Sequence, residues 1–153
     1  MLSLHVTLSL VGIFAGFFMV LTMLSAKQAK HLTVIFLFST LASALTGFIL
    51  PADRVLPSHI IGGITTISLL ISIFSWYVKG RYGVWRIVYA VTALSGFYFN
   101  AFVGVVQAFL KVPVLHAVAP TQSAPVLIIT QSALLVMFII VGFALIRKLD
   151  FVR

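Results

Sequence analysis

A chain of 153 residues that is 62% hydrophobic and only 8% charged has too little polar surface to coat a water-soluble globule of its size. It contains no cysteine, which excludes disulfides, thiolate nucleophiles and cysteine-ligated zinc or iron–sulfur centres. The formal charge of +8 does not mark a nucleic-acid binder, because the basic residues lie between apolar runs and do not gather on one solvated face.

A bilayer core of about 30 Å is crossed by about 20 apolar residues in a helix, and five segments reach that length. The first runs from Ser3 to Leu24. It reads as a retained helix and not a secretion signal: no positive residue precedes it, it outruns a signal's apolar stretch, and it has no A-x-A cleavage motif. His5, Ser9, Gly12 and Gly16 recur along it at helical spacing and so share one stripe. The second span, Leu32 to Leu50, carries Ser39, Ser43 and Gly47 in the same manner, and Pro51 and Pro57 bracket the connector after it.

The third span, His59 to Val78, has a shorter stripe of His59, Gly62 or Gly63, and Thr66, with Ser58 as its expected N-cap. The fourth, Trp85 to Leu110, is long enough to tilt, and aligns Asn100, Gly104, Gln107 and Lys111. Pro113, Pro120 and Pro125 mark the next connector, and Ser123 is the expected N-cap of the fifth span, Pro125 to Ile146, which offers Gln131 and Gly142. No linker, low-complexity tract or long-period repeat divides residues 1–153, so the expectation is one all-α, polytopic transmembrane helix bundle.

Alternate connectors of a five-span chain share a side. One side then holds Lys27, Lys30, Lys79, Arg81, Arg86, Arg147, Lys148 and Arg153, the other only Arg54 and Lys111. Lysines and arginines are retained in the cytoplasm during insertion, which predicts an external N-terminus and a cytoplasmic C-terminus. Trp76, Tyr77, Tyr82 and Trp85 would form an aromatic belt at the inner interface.

This topology puts His5, His59, Gln107, Lys111, His116 and Gln122 at or near the outer face, and His31 alone inside. Small residues within spans usually serve helix packing, and interfacial histidines usually cap helices or meet headgroups. Asn100 differs, since it lies about 16 Å inward of Lys111 at 1.5 Å per residue, where an amide needs a partner within the protein. The candidate ligand-binding set is therefore His5, His59, Asn100, Gln107, Lys111 and Gln122, beneath the loops Pro51 to Ser58 and Lys111 to Ala124. Helix starts carry partial positive charge, and with Lys111 nearby they would favour an anionic or electron-rich group.

The runs Leu56-Pro57-Ser58-His59, Tyr98-Phe99-Asn100, Val105-Val106-Gln107-Ala108-Phe109-Leu110-Lys111-Val112-Pro113 and Ala119-Pro120-Thr121-Gln122-Ser123 carry a resemblance that covers most of the chain. It resembles a family of small, uncharacterised bacterial polytopic membrane proteins. The resemblance implies a bacterial inner-membrane location and no particular activity, substrate or cofactor. An acidic residue and a second proline follow that last serine in the family pattern, where this chain has Ala124 and Val126, so no acid–base role carries over to those positions.

Three functions fit these residues. The first is binding or passage of a small molecule through the outward-facing polar site. Neither acidic residue, Asp53 or Asp150, falls within a span, which argues against carboxylate-coupled transport and leaves passive permeation or a histidine relay. The second is redox, with His5 and His59 as axial ligands of a b-type haem, or the polar cluster holding a quinone head. A metal held by His5, His59 and His116 is a weaker variant, because imidazoles without a carboxylate or thiolate in register are an unspecific signal. The third is an accessory or scaffolding role, with the glycine stripes contacting a second copy or a larger membrane complex. No Ser–His–Asp arrangement, H-E-x-x-H, Walker loop or paired carboxylate is present, so a hydrolytic enzyme is the reading the residues favour least.

Overall fold

The computed structural model describes residues 2–25, 27, 29–50 and 57–151. Six helices account for nearly all of them: α1 (Leu2–Leu24), α2 (Lys30–Ile49), α3 (Pro57–Tyr77), α4 (Val84–Lys111), α5 (Pro113–Val118) and α6 (Pro125–Phe151). Five of these are long and apolar enough to cross a membrane, and the chain is a multi-pass membrane protein. The expected span boundaries agree with the helices to within a few residues, apart from α6, which continues past Ile146.

Proline sets three of the helix starts. Pro57, Pro113 and Pro125 each occupy the first position of a helix, where a missing N–H is no loss and a φ already near the helical value favours initiation. The two serine caps expected from the sequence are displaced by this. Ser58 lies inside the first turn of α3, after Pro57, and Ser123 stops two residues short of α6 and bonds Thr121 Oγ1 at 3.2 Å. Pro51, Asp53 and Arg54, in the second connector, and Arg153 lie outside the described residues.

α5 is an element that the spacing of apolar residues did not announce, since six residues are too few to display a helical period. A small apolar cluster of Phe109, Ala119, Ala124 and Leu127 folds it and the following coil back on the end of α4 and the start of α6.

The main core runs along α4. Phe97 meets Phe36 of α2 edge-on at 6.1 Å and Phe138 of α6 at 5.0 Å, and so ties three helices together. A Cβ at Gly16 would stand 2.8 Å from the Phe97 ring, so α1 reaches those rings only because position 16 has no side chain. Gly96 plays the same part toward Leu69 of α3, at 2.7 Å. Outward-facing side chains such as Phe14, Ile67, Ile129 and Phe143 are exposed along the length of the helices, as hydrocarbon solvent permits.

The anticipated aromatic belt divides. Tyr77 and Tyr82 are exposed, whereas Trp76 turns inward against Tyr89, with ring centroids 5.0 Å apart, and Trp85 meets Phe74 edge-on at 5.5 Å.

Candidate functional site

At the end of the bundle where α1 and α3 begin and α2 and α4 finish, a cavity of about 470 Å³ opens between these four helices. His5 and Ser9 reach it from α1, Thr40 and Ser43 from α2, His59 and Thr65 from α3, and Asn100 and Gln107 from α4. Leu2, Phe48, Ile61, Phe99 and Val103 supply apolar wall. Among the described residues, no lysine, arginine or carboxylate lines it.

Each polar group has a local cause. On α1 the stripe legible in the sequence faces inward: His5 Nδ1 lies 2.9 Å from Ser43 O and 3.2 Å from Thr46 Oγ1. A carbonyl can only accept, so in this contact Nδ1 carries a proton. The Thr46 hydroxyl is already donating to Ala42 O at 2.8 Å, which leaves its oxygen free to accept from the imidazole. Ser43 Oγ returns a bond to His5 O at 3.3 Å, so α1 and α2 are joined reciprocally. His59 stacks on Phe48 of α2 with 21° between the rings.

One turn deeper, Ser9 Oγ donates to Asn100 Oδ1 at 2.7 Å and Asn100 Nδ2 donates to Ser9 O at 3.1 Å. The amide deep in the bundle thus finds within the protein the partner that hydrocarbon would deny it. A Cβ at Gly12 would stand 2.4 Å from Thr40 Oγ1 and 2.9 Å from Asn100 Nδ2, so glycine is what allows α1, α2 and α4 to converge at the cavity floor. Thr40 is 1% exposed, and its hydroxyl has no hydrogen-bond partner among the described residues.

No family model, curated protein or solved structure matches this chain. Its chemistry therefore follows from its own side chains. Of the six residues expected to bind ligand, His5, His59, Asn100 and Gln107 line this one cavity. Lys111 and Gln122 do not. The cluster around Phe109 holds the α5 loop on the flank of α4 and α6, away from the α1–α2–α3 side where the cavity opens. Lys111 is exposed in the last turn of α4, where an ammonium group suits the helix carbonyls. Lys111 therefore adds no charge to the lining of this cavity.

His116 is exposed on α5 and apart from the other two outer histidines, and no three His, Asp or Glu side chains among the described residues group as a metal site requires. His31 is exposed at the start of α2, at the opposite end. Thr40 and Thr65 are the cavity residues the sequence did not single out. Thr40 sits three residues before Ser43 and seven before Gly47, on the face those two already marked. Gln131 of α6, noted in the sequence, donates through Nε2 to Phe102 O at 3.0 Å and serves the α4–α6 contact.

Proposed function

We propose that this chain is a bacterial inner-membrane protein, N-terminus outside, whose cavity binds or passes a small, neutral molecule from the extracytoplasmic side. The observation that carries the reading is the Thr40 hydroxyl. A buried hydroxyl left without a partner costs about 1–3 kcal/mol, and this one belongs to a residue that lines the cavity beside the His5 imidazole and the Asn100 amide. A ligand with one hydrogen-bonding head and an apolar body would satisfy Thr40 and cover Phe48, Ile61 and Phe99.

Thr40→Val tests it. Replacing the orphan hydroxyl by a methyl should stabilise the empty protein by about 1 kcal/mol, read as a higher unfolding temperature, because the burial cost goes with it. The same variant should lose small molecules that the wild type retains when extracted in polymer nanodiscs and analysed by mass spectrometry, and His59→Ala should lose them too. Wild type and both variants carrying the same molecules would remove the reading.

A second reading rests on His5. An imidazole that donates through Nδ1 to a backbone carbonyl is oriented as an axial ligand is, with Nε2 available to iron. A Soret band in the purified protein that disappears in His59→Ala favours haem over a colourless ligand.

A further inference from the structure

The opposite end of the bundle holds a second cavity, of about 430 Å³, to which all five long helices contribute. Thr22 and Met23 line it from α1, Thr33 from α2, Trp76 from α3, Tyr89 from α4 and Leu145 from α6. Four cationic side chains converge on it: Lys27 from the α1–α2 connector, Arg81 from the α3–α4 turn, Arg86 from α4 and Lys148 from α6. We infer that this cavity is a binding site for a phosphate-bearing anion.

Charge arithmetic is the first argument. The chain has two acidic residues, Asp53 and Asp150, against ten lysines and arginines. Were both of them to meet the four lining cations, 4 − 2 = 2 positive charges would still be in excess. Retention of basic residues on the cytoplasmic side explains why they lie at this end. It does not explain why cations from four separate parts of the chain share one cavity.

Placement is the second. Arg81 adopts a left-handed backbone (φ 58°), the only non-glycine residue among those described to do so, between Gly80 at φ 60° and Gly83 at φ 53°. That conformation is disfavoured for a residue with a Cβ, and here the guanidinium carbon lies over Trp76, 3.7 Å from the ring centroid. Burial lowers the Arg81 pKa from its ordinary value, the mark of a cation that has given up part of its water. Lys148 Nζ donates to Leu24 O at the end of α1, which holds the ammonium over the cavity. Tyr89 OH donates to Thr33 Oγ1 at 3.4 Å and to Met19 Sδ at 3.6 Å, so the Thr33 hydroxyl is the one able to donate to a guest. Guanidinium forks beside ammonium groups and a hydroxyl donor suit the several oxygens of a phosphate better than a carboxylate. A basic pocket between transmembrane helices on this side is placed to receive a headgroup or a soluble phosphate.

Trp76 offers the readout. In a Trp85→Phe background it is the remaining tryptophan of the two in the chain. Its emission is followed in phosphatidylcholine nanodiscs during titration with inorganic phosphate, and separately as phosphatidylglycerol replaces part of the phosphatidylcholine. A saturable change with the lipid alone assigns a headgroup, with inorganic phosphate alone a soluble ligand, and with both a site selective for the shared group. In each case Arg81→Gly should weaken the response about tenfold, as expected for loss of one partly desolvated charge–charge contact. Glycine suits the left-handed backbone there, so the variant should fold. Lys27→Gln, on an exposed connector, checks the same loss independently. No saturable response to either anion, or a response unchanged in both variants, overturns the site.

Discussion

The two ends of this bundle enclose cavities of similar size, about 470 and 430 Å³, with opposed chemistry. At the histidine end, amide, hydroxyl and imidazole groups largely satisfy one another, as Ser9 does Asn100 and Ser43 does His5. The residues that line that cavity are also the residues that join the helices. At the basic end four cationic side chains line the cavity, more than the chain's two acidic residues can balance. Neutral polar groups can therefore serve packing and binding together, whereas an excess of like charge serves packing badly and calls for a counter-ion. Substitutions should accordingly damage the fold at the first end and ligand affinity at the second.

The comparison depends first on which end faces which compartment. The chain has no cysteine, so single cysteines report without interference. Ser58→Cys and Ser123→Cys, both at exposed positions, should react with an impermeant thiol reagent added to intact spheroplasts, and Lys27→Cys and Lys79→Cys should react only after lysis. The effect is all or none. The reverse pattern would turn the neutral cavity toward the cytoplasm and the basic one outward, and would withdraw the positive-inside argument from both.

Next in size is Gly12→Leu. Even the first added carbon would stand 2.4 Å from Thr40 Oγ1, a short side chain that cannot swing away, and 2.9 Å from Asn100 Nδ2. Overpacking of this kind costs about 3 kcal/mol, visible as a lower unfolding temperature and loss of a monodisperse peak in detergent. Gly63→Leu is the control, because a Cβ there meets nothing within 4 Å. Equal behaviour of the two variants would mean that α1, α2 and α4 do not meet at Gly12.

The five spans were legible because bilayer thickness sets a helix length and leaves little choice of secondary structure. The stripe of His5, Ser9, Gly12 and Gly16 was legible for the same reason, since one helical period decides which residues share a face. The α5 loop was not, because its fold-back depends on Phe109 finding Ala119 and Leu127, a tertiary contact without a period. That hidden contact is what separates Lys111 and Gln122 from the cavity they were expected to join. The basic cavity escaped notice differently. Each of its cations has a sufficient explanation as a marker of topology, and only the meeting of four chain segments shows them to be a group.

The smallest effect bears most closely on whether packing and site coincide at the neutral end. Ser9 and Asn100 exchange two hydrogen bonds between α1 and α4, one through the Ser9 side chain at 2.7 Å and one through its backbone carbonyl at 3.1 Å. Ser9→Ala removes only the first, and Asn100→Leu removes both together with the polar atoms that line the cavity. A double-mutant cycle should give a coupling of about 0.6 kcal/mol, the usual value for a side-chain bond between membrane helices, because partners are also found in the unfolded state within lipid. Asn100→Leu alone should cost more than that coupling, since the bond to the Ser9 carbonyl is also lost. Zero coupling would show that the amide spends its bonds elsewhere, on water or on a guest in the cavity, and would shift Asn100 from joining the helices to holding the ligand.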